Sequence, residues 1–489
     1  MNTTPAQIAS ARQWSEYQQA IFRFVESGTG NAVVEAVAGS GKTTTIVEAL
    51  SRVRGTSIFL AFNKKIADEL KARGVNARTF HSLTFSPVTR ARRASGVEAN
   101  KLRNLVEEHW GQADVRDYGA FACRLVGLAR QAGMGCLIPD AESHWLALVE
   151  HHGLEPDSEN ATIERGVDIA RELLTLSNAS AFVDFDDLLY LAVRDGIPLP
   201  KFDFVFVDEA QDTNAIQRAL LRKILRPGAR VVAVGDPAQA IYGFRGADSE
   251  SLGLIAQEFN ACRLPLTVSY RCPRAVVEHA RQWVAHIECS PTAPEGSVAD
   301  WGTKWGTDSF RPADLLVCRT TRPLIALAYR LLCAHVPVSI AGRDLGQNLK
   351  ALVTRMRATT LERLDERLVQ YTEREVEKAI ARKQEERAEA IRDKTEAIRC
   401  LIDGMPEGDR TVAALLAVID RLFTERANAV QLSTIHKAKG LEADRVFWLN
   451  SSACPSRWAH QDWQVQQEYN LCYVATTRAR HELVLIEDK

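Results

Sequence analysis

The stretch AVAGSGKTTT, residues 36–45, constrains this chain more than any other. It follows the apolar run NAVVEAV (31–37) and leads into residues 43–52, whose apolar spacing is helical. Small residues between a strand and a helix let successive backbone N–H groups turn toward a phosphate, and the helix N-terminus adds positive potential. Lys42 is placed to reach β- and γ-phosphates, and the Thr43 hydroxyl to ligate Mg2+. Ala36 stands where the general P-loop pattern has its first glycine. Ala38, Gly39, Ser40, Gly41, Lys42, Thr43 and Thr44 are therefore the candidate nucleotide cradle, with ATP and Mg2+ as expected cofactors.

A second strand-end signal supports hydrolysis over simple binding. FDFVFVDEAQD (202–212) is an apolar run that stops at two adjacent acids. Asp208, at the strand end, suits a Mg2+ held partly through water, and Glu209 suits orientation and deprotonation of an attacking water.

Further β-branched runs alternate with helical stretches: TSIFLAF (56–62) and ARVVAVGD (229–236), then ADLLVCR (313–319), VPVSIAG (336–342), AVQLSTI (429–435), DRVFWLN (444–450) and HELVLIE (481–487). Strands alternating with helices imply βαβ units and parallel sheets, so two α/β modules are expected. At 489 residues the chain exceeds one ordinary core. Residues 87–183 lack a strand pattern and read as helical. Residues 346–427 are dominated by charge, and Leu361, Leu364, Leu368 and Tyr371 follow a 3-4-3 apolar spacing. That spacing predicts one or two exposed amphipathic helices over 361–399, with a hairpin as one arrangement, serving as a solvated face or as an arm for a partner or a duplex.

Composition narrows the classes. The hydrophobic fraction is 46% and the charged fraction 25%, as in an ordinary globular chain. A net charge of −1 provides no global field for a polyanion, so any nucleic-acid site is a local groove. No apolar run approaches the roughly 18 residues of a membrane span, and no secretory pattern opens the chain. Ten cysteines without a C-x-x-C pair suggest reduced thiols, so a cytoplasmic location is expected.

Six motifs occur in one order: AVAGSGKT, VDEAQD, GDPAQAIYGFRGA (235–247), SYRCP (269–273), TIHKAKGLE (434–442) and YVATTRAR (473–480). The set resembles the UvrD/Rep/PcrA-type superfamily 1A DNA helicases over residues 14–487. The resemblance implies two RecA-like parallel-sheet domains of the P-loop NTPase class, interrupted by two mainly helical insertions. The implied boundaries are 1–86 with 184–262 for the first RecA-like domain and 87–183 for its insertion. For the second they are 263–345 with 428–489, and 346–427 replaces the family's larger accessory domain.

The resemblance also assigns roles. Gln18 in SEYQQAIF resembles the glutamine that reads adenine, with Gln19 as the alternative register. Tyr270 would stack on the adenine, Arg271 and Arg478 would contact the γ-phosphate, and Glu442 resembles a nucleotide-contacting acid. An arginine finger of this kind is worth roughly 10³–10⁵ in rate. Gln239 resembles a γ-phosphate sensor in the same loop as Tyr242, Phe244 and Arg245, which would meet DNA bases. Phenylalanine at 244 replaces the family's usual tryptophan, a smaller stacking face. Phe62, His81 and His436 match further DNA-contacting positions, although FNKK (62–65) departs from the usual Phe-Thr-Asn-Lys. Arg90, Arg92 and Arg93 form a basic cluster that suits phosphates or a solvated turn. The implied function is an ATP-dependent helicase moving 3′ to 5′ on single-stranded DNA and at single-strand/duplex junctions. The alternatives are a translocase that remodels DNA complexes with little unwinding, or a subunit serving a nuclease.

Overall fold

The computed structural model describes residues 13–156, 158, 161–243, 246, 250–381, 385–424, 426 and 428–488. The chain divides into two units, Met1–Thr267 and Val268–Lys489, each built on its own parallel sheet.

The first sheet contains β1 (Asn31–Ala36), β2 (Ser57–Leu60), β3 (Ala77–Arg78), β4 (Phe202–Val207), β5 (Leu225–Gly235) and β6 (Ala261–Leu266). Their order is β3-β2-β4-β5-β1-β6, and every pairing is parallel. Central parallel strands are covered on both faces, which is why their sequences are near-continuous apolar runs. Alternation then splits each strand between two cores. Val33, Val205, Val207 and Val231 face one, while Val34, Phe206, Val232 and Val234 face the other. The first of these cores continues into the helices at 101–179 through Phe121, Leu125, Trp145 and Leu173, so the helical region is packed directly against the sheet.

The second unit holds β7 (Val268–Ser269) paired with β8 (Glu288–Cys289), then β9 (Ser297–Gly302), β10 (Leu315–Cys318), β11 (Val338–Ile340), β12 (Val430–Thr434), β13 (Ala443–Leu449) and β14 (Ala479–Ile486). Its main sheet runs β11-β12-β10-β13-β14-β9, again all parallel.

Two departures from the sequence reading have physical causes. β6 and β9 escape the apolar-run criterion because they are edge strands with largely uncovered faces, and an edge tolerates Pro265. The charged segment does form a hairpin of two helices, Leu361–Ala381 and Glu385–Gly404, and the departure lies in what its apolar stripe meets. Its leucines are not a free face: Leu361, Leu364 and Leu368 are fully buried and join Leu316, Val430 and Leu432 in the core of the second unit. Burial of each such side chain stabilises by about 1.5–3 kcal/mol, so this stripe is spent on the chain's own core and offers no partner surface. None of the described helices is long and apolar enough to cross a membrane. All ten cysteines are free thiols.

Candidate nucleotide and nucleic-acid sites

In a parallel sheet all strands end at one edge, and that edge collects the polar residues of the first unit. β1 runs into the 37–41 loop, where Gly39 (φ +72°) and Gly41 (φ +77°) adopt the left-handed backbone that a side chain resists. The helix Lys42–Ser51 starts directly from Gly41, with no side-chain cap on its first N–H groups. Ser40 is fully buried, and its Oγ has no hydrogen-bond partner. An uncapped helix start beside an orphaned buried hydroxyl fits a phosphate.

The ends of β4 and β5 converge on the same loop. Thr43 Oγ1 donates to Asp208 Oδ2 (3.2 Å), and Lys42 Nζ lies 3.7 Å from Glu209 Oε1. Burial, the adjacent Glu209 and too little compensation from Lys42 push the Asp208 carboxyl up to about 7. Such an acid is short of positive charge, which suits a divalent cation. Among the described residues no three ligating side chains cluster as a metal site. Mg2+ would instead be held by Thr43 and Asp208 together with phosphate oxygens and water, as that ion commonly is.

Glu209 itself has φ +50°, an uncommon backbone for a glutamate. Such outliers persist where the surroundings over-determine them, often at functional sites. Here Glu209 Oε2 accepts from Gln211 Nε2 (2.5 Å), and Gln211 Oε1 accepts from the Asp236 N–H (3.0 Å). Asp236 Oδ2 accepts in turn from Gln239 Nε2 (2.6 Å). A continuous chain of polar contacts thus runs from Lys42 through Glu209, Gln211 and Asp236 to Gln239. Gly235 makes it possible, since a Cβ there would overlap Gln211 Oε1. The sequence reading singled out neither Gln211 nor Asp236; their signal is a polar residue just past an apolar strand.

Gln18 is buried, and its Nε2 donates to Thr45 Oγ1 (2.9 Å), which donates to Gly41 O (2.9 Å). Gln18 therefore adjoins the phosphate loop. Gln19, the other register, is exposed and donates to Trp14 O.

On the same unit the Phe62 and Tyr242 rings stack with centroids 6.0 Å apart and planes 13° apart. Phe62 is 45% exposed, so a large apolar face is left in water. His81 packs edge-on against Phe185, which is 58% exposed. Burial lowers the His81 pKa, so the ring is neutral near pH 7 and suits a base or sugar contact better than a phosphate ion pair. Phe185 was missed in the sequence, where FVDFDDLL reads as an ordinary helix start. Arg92 is committed to Asp195 (2.6 Å) and Asn178 O (2.9 Å), so it is held inside the fold. Phe244 and Arg245 lie outside the described residues.

In the second unit Tyr270 is 46% exposed. Arg271 pairs with Glu442 (2.5 Å), and Arg480 pairs with the same carboxylate. Burial acts to raise the Glu442 pKa, but the charges of Arg271 and Arg480 outweigh it and hold the carboxyl below its ordinary value. Arg478 is buried, donating to Val474 O (2.8 Å), Leu441 O (3.2 Å) and Thr477 Oγ1 (3.1 Å). These groups are thus engaged with their own unit. His436 borders a cavity of about 220 Å³ with Thr434, Arg319 and Thr321.

The family model described as the UvrD/REP helicase N-terminal domain matches residues 16–260, half of the chain and the whole of this phosphate-loop edge. The chain belongs to the UvrD/Rep helicase family. The UvrD-like helicase C-terminal domain matches residues 341–489. Among similar proteins, the ATP-dependent DNA helicase Rep of Escherichia coli is 29% identical over 304 residues, covering 54% of this chain and 42% of Rep. The ATP-dependent DNA helicase PcrA of Leuconostoc citreum is 23% identical over 296 residues, covering 54% and 38%. The F-box DNA helicase protein 1 of Schizosaccharomyces pombe is 24% identical over 520 residues, covering 92% and 55%. The chain therefore spans roughly half, or less, of each relative's length.

Proposed function

We propose that this UvrD/Rep-family chain hydrolyses ATP to move along single-stranded DNA, 3′ to 5′, and opens duplexes at the junctions it meets. The observation that carries the proposal is the loop after β5. Gln239 ends the polar chain that begins at Lys42, and Tyr242, three residues later, stacks on Phe62. One short loop therefore touches both a candidate γ-phosphate relay and an exposed aromatic surface. A change at the phosphate end has only a few bonds to travel before it alters the grip on a base.

Lys42 supplies positive charge to the transferring phosphoryl group, and the uncapped helix start orients it. Glu209 aligns and deprotonates the attacking water, held by Gln211. Thr43 and Asp208 would hold Mg2+, which would supply neutralisation of phosphate charge. Gln18 reads the adenine edge with its amide, Tyr270 stacks on the base, and Glu442 contacts the nucleotide. Arg271 and Arg478 are assigned to γ-phosphate charge, which requires both to exchange their present partners. Phe62, Tyr242, Phe244 and Phe185 stack on bases in any sequence, and Arg245, His81 and His436 add polar contacts.

A translocase that remodels DNA complexes is the second reading. It is favoured by the short hairpin at 361–404, whose core is merged with that of the second unit. Strand displacement on 3′-tailed, 5′-tailed and blunt duplexes tests the first reading. The expected result is displacement on the 3′ tail alone. Displacement limited to protein-blocked strands would favour the second, and equal activity on 5′ tails would contradict the polarity.

A further inference from the structure

The segment FVDFDDLL (182–189) inverts the usual distribution of polarity. Phe182 and Phe185 are 59% and 58% exposed, while Asp184 is 8% exposed and Asp187 fully buried. Apolar rings face water and carboxylates face the core. Asp184 and Asp187 each do two jobs. Asp184 Oδ1 accepts from the Asp187 N–H (2.9 Å) and Asp187 Oδ2 from the Asp184 N–H (2.9 Å), a reciprocal cap on the helix Phe185–Arg194. Both are also ion-paired inside the protein: Arg130 lies 2.8 Å from Asp184 and 3.1 Å from Asp187, and Lys101 lies 2.5 Å from Asp187.

The cations come from two helices of the first insertion, Lys101–His109 and Gln112–Ala132. A third, Ile163–Ala179, contributes Ser177, whose carbonyl accepts from Lys101 (2.8 Å) and whose hydroxyl accepts from Arg130. Val183, between the two rings, bridges Val97, and its carbonyl accepts from the Glu98 N–H (2.8 Å). Lys101, Arg130, Ser177 and Asp187 are all at most 2% exposed. A buried ion cluster of this size is not the cheapest way to fill a core, because apolar residues of similar volume are commonly as stable. What the cluster does provide is direction: charged hydrogen bonds fix the helix start in rotation and depth more tightly than apolar packing.

We propose that Lys101, Arg130, Asp184, Asp187 and Ser177 are positioning residues that hold Phe185 at the strand-contacting surface. The helical insertion is then the jig for one base contact of the first unit. This inference rests on the DNA-translocating function proposed above.

The test is a double-mutant cycle read as the single-stranded DNA concentration that half-saturates stimulation of ATP turnover. Phe185→Ala is expected to raise that concentration about tenfold, within the range for loss of one stacked base. Lys101→Met is expected to raise it about two- to tenfold while DNA-free turnover stays unchanged. In the double variant the two effects should not multiply, since both act through one ring. Ser177→Ala, which keeps every charge paired, should shift the same quantity in the same direction by less. Multiplicative effects in the cycle would overturn the inference, as would Lys101→Met and Ser177→Ala variants that lose thermal stability but keep wild-type half-saturation. Wild-type turnover indifferent to DNA would overturn the underlying reading and this inference with it.

Discussion

Lys42→Ala is expected to lower ATP turnover by at least about 10²–10³-fold, with or without DNA. The magnitude follows from what Lys42 is placed to do. It stands at the first position of a helix whose N–H groups are uncapped, beside a buried, unpartnered Ser40 hydroxyl. A phosphoryl group in transfer spreads negative charge over its oxygens, and catalysis of that step is mostly positioning and charge stabilisation. Removing the ammonium leaves Glu209 facing the triphosphate without the cation that lies 3.7 Å from it. The charge stabilisation lost is therefore compounded by repulsion. Rates under saturating ATP, with nucleotide affinity measured separately, check the prediction. Turnover within a factor of two of wild type would show that the phosphate sits elsewhere.

The second large effect is at Glu209. Glu209→Gln keeps the shape and the acceptor for Gln211 but cannot take a proton from water, so turnover should fall by about 10²–10⁴-fold. Binding of ATP should survive and even tighten, because the substitution removes one negative charge near the γ-phosphate. It also removes one of the causes that push Asp208 up, easing ionisation of the carboxylate assigned to Mg2+. Nucleotide binding and single-turnover hydrolysis separate these outcomes. Parallel loss of binding and hydrolysis would make Glu209 a structural residue.

The two variants also illustrate what the sequence makes legible. Lys42, Thr43, Asp208 and Glu209 are readable because each follows an apolar run within a few residues, so the strand-end geometry is encoded locally. Gln18 and Gln239 come from the family resemblance, and in the structure their amides donate to Thr45 and Asp236. Gln211 was hidden because its importance depends on Gly235, a neighbour in space that is 24 residues away in the chain. Phe185 was hidden for a similar reason, since the acids that cap its helix pair with Lys101 and Arg130 from helices distant in the chain. Leu361, Leu364 and Leu368 revealed a helix by their spacing, but spacing does not state which surface the stripe meets. That surface turned out to lie within the second unit's own core, with the hairpin's other helix, Glu385–Gly404, as its main neighbour. The edge strands were illegible for a simpler reason: with little buried face, they carry little apolar pattern.

Coupling of ATP hydrolysis to single-stranded DNA is the central claim, and ATP turnover with and without an unstructured oligonucleotide tests it most directly. The loop joining Gln239 to Tyr242 predicts turnover that is slow alone, rises strongly and saturably with DNA, and loses most of that rise in Tyr242→Ala. Turnover that is the same with and without DNA would contradict it.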